Sequence, residues 1–164
     1  MTRTIAIVCG LMFTVPGLAG EPSVRIRPAD LQGSRPLEKQ TETSVVRDYL
    51  QSWRSLQEAL DQNQAAKLDR DFIGAAREKL GSTIESQGRS GIHTLYSDRS
   101  HDLQVVFYSA EGLSIQMTDN VEYEEKVMSK DTVLASRVVH GRFIVVMSPS
   151  ETRWQVRIFQ AGSN

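Results

Sequence analysis

Residues 43–61 read TSVVRDYLQSWRSLQEALD, and this stretch decides the fold class. Its apolar side chains recur at spacings of one, three and four residues, which places them on one face of a helix. Those side chains are Val45, Val46, Tyr49, Leu50, Trp53, Leu56 and Leu60. Either Thr43 or Ser44 can cap the first turn. We therefore predict a long amphipathic helix that ends near Asp61 and buries this face.

A second helical pattern follows Asn63 and begins near Gln64. It repeats the same spacing with Leu68, Phe72, Ile73, Ala76 and Leu80. Gly81 predicts the end of this helix, because glycine is favoured just after a helical C-terminus. Residues 82–85 read STIE and have the form of a capping box, so a short third helical turn is expected.

After Asp102 the hydrophobic period changes to two, which is typical of β-strands. Residues 103–108 and 113–118 predict a hairpin around a turn at 110–112. A turn at 119–120 and a third strand at 121–127 should follow. Residues 132–147 predict one long kinked strand or two strands, with a bulge at 140–142 where glycine interrupts the run. Residues 154–158 predict the closing strand.

Helices that precede a set of antiparallel strands are typical of the α+β class. We therefore predict N-terminal amphipathic helices packed on a curved, mostly antiparallel sheet, with residues 43–164 as a single domain. The sheet is expected to wrap around the first helix and to leave a hollow with an apolar lining.

Residues 1–20 have the pattern of a signal peptide. Arg3 precedes an apolar run over residues 5–15, and cleavage is expected after Ala19 or Gly20. An uncleaved N-terminal anchor is the alternative. We predict export to the periplasm or the medium, with no membrane segment after cleavage. Cys9 is the only cysteine, so the mature chain would have no thiol for a disulfide, a nucleophile or a zinc site.

Residues 21–42 are rich in proline and charge, with Pro22, Pro28 and Pro36 among isolated apolar residues. Such a segment buries too little apolar area to offset its ordering entropy, so we predict a flexible linker. The alternative is that residues 23–27, which alternate apolar and polar side chains, add an edge strand to the sheet.

Composition excludes several classes of protein. The chain has 19 Lys and Arg against 20 Asp and Glu, a formal net charge of -1, so it offers no basic field for nucleic acid. No phosphate-binding loop, nucleophile elbow or H-E-x-x-H motif occurs, which removes ordinary nucleotide-binding, serine-hydrolase and zinc-protease functions. No cofactor is predicted.

From about Thr43 to Gln160 the chain resembles the nuclear transport factor 2-like superfamily, which includes ketosteroid-isomerase-like and polyketide-cyclase-like domains. The resemblance rests on the opening helix, the helical region through Phe72, and residues 141–159, where a long strand turns into a last strand with Trp154. It implies a cone-shaped sheet whose mouth holds a small apolar molecule or catalytic groups. It also implies dimerisation through the outer sheet face in many members, so a homodimer is a candidate. Catalytic members carry a carboxylate or a His/Asp pair inside the cone, and the sequence alone matches no residue to that role.

Two residues are weak catalytic candidates. Strand alternation places Glu125 on the same face as Tyr123, where aromatic neighbours would raise the pKa of its carboxyl group. His140 lies between two apolar strand halves and would serve as a base if it were buried. For both residues, a solvated or structural role is the alternative.

His93, Asp98, His101 and Asp102 are metal-ligand types within one short stretch. Their spacing fixes no pair on one face of an element, so we predict a solvated loop and no metal site. The candidate ligand-binding residues are Tyr49, Trp53, Tyr123 and Arg142. Together these observations predict an exported, non-catalytic domain that binds a small apolar molecule or a partner protein. The alternatives are an isomerase or cyclase that uses Glu125 or His140, and a self-associating scaffold.

Overall fold

Two helices and five strands account for most of the domain. The computed structural model describes residues 21–31 and 35–162, so the predicted signal peptide lies outside the described residues. The elements are β1 (Ser23–Ile26), α1 (Lys39–Gln62), a short 3₁₀ helix (Ala65–Leu68), α2 (Gly74–Arg89), β2 (His93–Tyr108), β3 (Ile115–Ser129), β4 (Thr132–Pro149) and β5 (Trp154–Ala161). Over the described ranges, no helix has the length and apolar character needed to cross a bilayer.

The five strands form one sheet in the order β1-β2-β3-β4-β5, so neighbours in sequence are neighbours in space. β1 runs parallel to β2, and the other pairs are antiparallel. The helices pack on one face of the curved sheet, which we call the helix side; the opposite face is the outer side. The predicted α+β class is therefore confirmed.

α1 buries the face that its sequence predicts. The buried apolar residues are Val45, Val46, Tyr49, Trp53, Leu56, Ala59 and Leu60. The helix ends at Asn63, whose backbone is left-handed (φ 53°) and whose N–H donates to the carbonyl of Ala59. It begins at Lys39, four residues before the predicted cap at Thr43.

α2 differs from its prediction at both ends, because residues 65–68 form a separate 3₁₀ helix, α2 begins only at Gly74, and Gly81 does not end it. The helix runs on to Arg89, since Ile84 is fully buried in the core and Gln87 is held by tertiary hydrogen bonds. The Gln87 side-chain amide donates to the Leu60 carbonyl at 2.6 Å and accepts from Thr94 Oγ1 at 2.9 Å. These contacts outweigh the helix-breaking tendency of one glycine.

The predicted loop over residues 93–102 is wrong, because these residues form the first half of β2. The strand pairs with β3 from His93 opposite Met128 to Tyr108 opposite Ile115. The predicted turn at 119–120 is also wrong, since Asp119 lies opposite Leu103 in the middle of this ladder. β3 is consequently one continuous strand.

β4 is a single long strand, one of the two predicted alternatives. The expected bulge at 140–142 is absent, because Glu122, Val121 and Asn120 of β3 pair in unbroken register with His140, Gly141 and Arg142. The predicted turn at 110–112 is confirmed, and Gly112 in it has a positive φ. Lys130, between β3 and β4, also has a positive φ.

Residues 21–42, predicted as a flexible linker, contain part of the sheet. Ser23–Ile26 pairs with Ser100–Leu103, which confirms the alternative of an edge strand. Beyond the strand, the Asp30 N–H donates to the Val105 carbonyl at 2.9 Å. α1 also begins inside this segment, at Lys39.

The space between α1 and the sheet is packed, so the expected hollow is wrong. Trp53 is 2% exposed and projects from α1 into the centre of the sheet's concave face. Its ring centroid lies 5.7 Å from those of Tyr123, Phe143 and Phe159 and 6.3 Å from that of Tyr96. One large side chain thus occupies the volume in which a cavity was predicted.

Candidate functional site

A concave surface lies beside α1, where this helix faces β1. One part is a cavity of about 500 Å³, and a smaller part of about 370 Å³ adjoins it. Leu50 and Arg54 of α1 line both parts. The larger part is also lined by Val24, Trp53, Tyr96, Asp98 and His101, and the smaller by Ile26, Lys39, Glu42, Val46 and Arg47. We call these two parts together the α1–β1 groove.

The apolar wall of the groove comes from β1. Val24 and Ile26 lie beside His101 and Leu103 in the parallel register, so their side chains point to the helix side. They are nevertheless 42% and 44% exposed, because α1 does not reach them. The gap between the strand and the helix is the groove itself.

The inner wall of the groove contains a histidine between two aspartates. His101 is 1% exposed; its Nδ1 lies 2.7 Å from Asp119 Oδ2, and its Nε2 lies 3.5 Å from Asp98 Oδ2. Tyr49 and Trp53 of α1 donate to the same carboxylates, Tyr49 Oη to Asp119 at 2.8 Å and Trp53 Nε1 to Asp98 at 2.6 Å. We call these five residues the histidine cluster.

A β-bulge brings Asp98 and His101 to the same face. Residues three apart on a regular strand point to opposite faces. The β2–β3 register shifts between Asp98 and Ser100, so Arg99 is an extra residue and both side chains face α1. Arg99 points away and pairs with Glu122 of β3 at 3.1 Å.

The imidazole of His101 carries a positive charge at neutral pH. Burial by itself lowers the pKa of His101, but the hydrogen bonds and charges of Asp119 and Asp98 outweigh it and raise this pKa from 6.5 to about 9. Burial, together with the charge of Asp119, raises the pKa of the Tyr49 hydroxyl well above 10. Tyr49 therefore stays neutral, and its hydroxyl donates a hydrogen bond to Asp119.

This protonation state limits what the cluster can do chemically. A general base needs a free lone pair within reach of the proton that it removes. Both ring nitrogens of charged His101 carry protons and face carboxylates, so the ring has no free lone pair. The cluster instead joins α1 to β2 and β3 through buried, charge-assisted hydrogen bonds.

A second polar group lies on the helix side, at the edge of the aromatic core. The rings of Tyr96 and Tyr123 are 4.6 Å apart, and burial raises the pKa of both hydroxyls, with a further contribution from the charge of Glu125. Glu125 accepts a hydrogen bond from Arg137 Nε at 2.7 Å. Its carboxylate is thus already paired with a cation.

Comparisons with known proteins bear on the fold. No protein-family model and no curated protein sequence matches the chain. Among solved structures, the intermembrane-space region of the chloroplast protein ARC6 superposes with a TM-score of 0.63 at 13% identity, over 79% of this chain and 100% of that one. A scytalone dehydratase-like protein from Novosphingobium aromaticivorans superposes with a TM-score of 0.52 at 11% identity, over 77% of this chain and 89% of that one.

The chain has the nuclear transport factor 2-like fold. The predicted resemblance is thereby confirmed at the level of fold, and identities this low carry nothing finer. In this chain the centre of the nuclear transport factor 2-like cone is filled by Trp53, and the open volume lies beside the first helix.

The four predicted ligand-binding residues lie on two different faces of the sheet in this nuclear transport factor 2-like fold. Tyr49, Trp53 and Tyr123 come together on the helix side, each at most 5% exposed. Arg142 is exposed on the outer side, because it alternates with Phe143, which packs against the core. Of the four, only Trp53 lines the α1–β1 groove.

The catalytic candidates also occupy different faces of the fold. The His140 side chain is 73% exposed on the outer side, 3.7 Å from Glu122. Glu125 shares the helix side with Tyr123, as strand alternation predicts, and its side chain is 14% exposed. Neither residue lines the α1–β1 groove.

The sequence did not single out Val24, Arg54 or Asp119, and it assigned Asp98 and His101 to a loop. Among the described residues no group of three or more side chains is arranged to hold a metal ion. Asp102 points to the outer side and forms an ion pair with Arg27 at 3.2 Å. His93, the first residue of β2, lies 3.9 Å from Asp61 of α1. The sequence signal that could have placed His101 in a strand is the alternation of Leu103 and Val105, which extends back to His101.

Proposed function

We propose that this domain is a non-catalytic binding module whose ligand is a small apolar molecule with an anionic group, held in the α1–β1 groove. One observation carries the proposal: both parts of the groove meet at Leu50 and Arg54. Arg54 donates only to the side-chain carbonyl of Gln51 and has no carboxylate partner among the described residues. An apolar surface with a free guanidinium at its centre fits an amphipathic anion.

The other cations of the groove are already neutralised. Lys39 pairs with Glu42 at 2.8 Å, and Arg47 pairs with Asp48 at 2.9 Å. The charge of His101 is shared by Asp98 and Asp119. Arg54 is therefore the cation that a ligand anion would meet, and the exposed apolar side chains of Val24 and Ile26 would cover its hydrocarbon part.

The experiment is a calorimetric titration of the purified, delipidated chain with straight-chain carboxylates of eight and twelve carbons, below their micelle concentrations. Each buried methylene contributes about 0.8 kcal/mol, so we expect dodecanoate to bind at least tenfold more tightly than octanoate. Dodecanol is the probe that lacks the charge. Because an exposed ion pair contributes at most about 1 kcal/mol, dodecanol should bind up to about fivefold more weakly than dodecanoate.

Two variants separate the contribution of the Arg54 charge to ligand binding from that of the apolar wall. Arg54→Gln should remove the preference for dodecanoate over dodecanol, and Val24→Asn should weaken the binding of both. Arg89→Gln, which alters an exposed arginine at the end of α2, is the matched control and should change neither affinity. Absence of heat with every probe, in protein shown by mass spectrometry to be empty, would refute the proposal.

Acid–base catalysis is the second candidate, favoured by the presence of His101 and Asp98 in the groove wall. This function requires His101 to give up its contact with Asp98 and to be neutral near pH 7. Nitrogen-15 NMR of the imidazole distinguishes the two functions. A ring that stays doubly protonated up to pH 8 supports binding, and a ring that titrates near pH 7 supports catalysis.

We also propose that the chain is exported, as the pattern of residues 1–20 indicates. The groove would then meet ligands of the cell envelope or the medium. Mass spectrometry of the protein from the envelope fraction of its own host should give a mature N-terminus after Ala19 or Gly20, and retention of the whole leader would contradict export with cleavage.

A further inference from the structure

A cavity of about 350 Å³ lies where α1 meets the turn between β4 and β5. Four arginines from three parts of the chain line it. Arg47 and Arg54 are on α1, Arg70 follows the 3₁₀ helix, and Arg153 is in the turn. We call this volume the arginine cavity.

Two of these arginines share one carboxylate. Asp71 is 1% exposed, and its side chain is paired with Arg70 at 3.2 Å and with Arg153 at 3.0 Å. The Ser55 hydroxyl also donates to it at 2.6 Å, so both oxygens of Asp71 are occupied. Because one carboxylate neutralises only one guanidinium group, a positive charge remains at this wall of the cavity.

The α1 wall carries a second uncompensated charge. Arg47 is paired with Asp48 at 2.9 Å, whereas among the described residues Arg54 donates only to the side-chain carbonyl of Gln51. The four guanidinium groups therefore share two carboxylates, which leaves an excess of two positive charges.

These arginines also keep hydrogen-bond donors in reserve. Each guanidinium group has five N–H donors on three nitrogen atoms. The contacts within the cavity wall use at most two nitrogen atoms of any of the four groups. The Thr152 hydroxyl lines the same cavity and is a further donor. The cavity thus offers both charge and directed N–H groups to an anion.

We infer that the arginine cavity binds the phosphate group of a small molecule, either free phosphate or a phosphate ester. A phosphate monoester carries about -1.5 to -2 charges at pH 7, which matches the excess positive charge. Its oxygens point in several directions, so guanidinium groups from three parts of the chain can donate to it together. A planar carboxylate has two oxygens, which a single guanidinium group satisfies. The volume is at the lower end for small-molecule sites.

This site goes beyond the ligand proposed for the α1–β1 groove. Arg47 and Arg54 border both volumes, but Arg70, Thr152 and Arg153 line the arginine cavity and not the groove. Substitution of Arg70 therefore changes the arginine cavity and leaves the groove as it is.

NMR of the arginine Nε–H groups, in the whole chain titrated with glycerol 3-phosphate, tests this inference. We expect the signals of Arg70 and Arg153 to shift and to saturate with a Kd of about 1 mM or lower, while the signal of exposed Arg89 stays in place. Sodium acetate at the same ionic strength should not shift them. Inorganic phosphate is the second probe: tighter binding of the ester would identify an organic phosphate as the ligand, and equal or tighter binding of inorganic phosphate would identify the free ion.

A variant tests whether the charge of the cavity is responsible. Arg70→Gln removes one guanidinium group and leaves Asp71 paired with Arg153, so the chain should fold and its Kd for glycerol 3-phosphate should rise about fivefold. Arg89→Gln is the matched control, because it removes the same charge at the end of α2, and it should leave Kd unchanged. Absence of a saturable shift in the wild type, equal shifts of Arg89 and Arg70, or an unchanged Kd in Arg70→Gln would overturn the inference.

Discussion

Replacement of His101 by glutamine is the most direct perturbation of the histidine cluster. Glutamine keeps a side chain that can donate to Asp98 or Asp119, but it removes the positive charge between these carboxylates. Removing one partner of a buried ion pair costs about 3 to 5 kcal/mol. Because the amide retains one hydrogen bond, we expect the free energy of unfolding at pH 6 to fall by about 3 kcal/mol.

The pH dependence of the free energy of unfolding gives an independent value for the stabilisation by charged His101. The pKa of His101 is raised from 6.5 to about 9 in the folded chain, so the folded state binds the proton more tightly than the unfolded state. The stabilisation is complete below pH 6.5 and is lost as the pH rises to about 9. At 1.36 kcal/mol for each pH unit, the wild-type chain should lose about 3 kcal/mol over this range.

Urea unfolding followed by tryptophan fluorescence, at intervals from pH 6 to pH 9.5, measures both effects. The wild-type and His101→Gln curves should converge at high pH, because the histidine is then neutral as well. His140→Gln is the matched control: that side chain is 73% exposed, so its curve should follow that of the wild type within about 0.5 kcal/mol. The Tyr49 hydroxyl is also part of the cluster, but its raised pKa keeps it neutral throughout.

The reasoning fails if the wild-type free energy does not fall between pH 6.5 and 9, or if His101→Gln shows the same slope as the wild type. Either result would mean that His101 is not the charged partner of Asp98 and Asp119. If His101→Gln does not fold, the slope of the wild type and of His140→Gln still decides the question.

Two further substitutions test buried contacts of α1. Asp71 is 1% exposed and accepts hydrogen bonds from Ser55 at 2.6 Å and from Arg153 at 3.0 Å. Asp71→Asn should therefore lower the free energy of unfolding, measured in urea, by about 2 kcal/mol. This is less than the loss for a fully buried ion pair, because Arg153 is partly exposed. Asp69→Asn, at an exposed ion pair, should cost under about 0.5 kcal/mol, and equal losses for both would contradict the argument. Trp53→Phe removes the bond to Asp98 and leaves a void, so Tm should fall by about 5 °C, whereas an unchanged Tm would mean that the centre is not tightly packed.

Local periodicity was sufficient to predict α1 and the β2–β3 turn. The buried face of α1 repeats every three or four residues, and Gly112 marks the turn with a positive φ. In both cases the signal lies within a few residues of the structure that it specifies. These elements could therefore be read without knowing what they pack against.

The histidine cluster could not be predicted in this way, because its partners are distant in sequence. Asp98 and Asp119 look like loop and turn residues, since carboxylates are uncommon inside strands. Asp98 is paired with Trp53, 45 residues away, and Asp119 with Tyr49, 70 residues away. The bulge at Arg99 further disrupts the alternation that would have identified a strand.

Trp53 explains both why the predicted hollow is filled and why the groove lies beside α1. Its ring fills the centre of the concave sheet, and its N–H holds Asp98 beside His101, so the same side chain closes the cone and helps build the groove wall. A smaller residue at this position would leave the cone open and Asp98 without its indole donor. The fold therefore does not by itself determine where the open volume lies; in this chain one tryptophan fills the centre of the cone, and the open volume lies in the gap between α1 and β1.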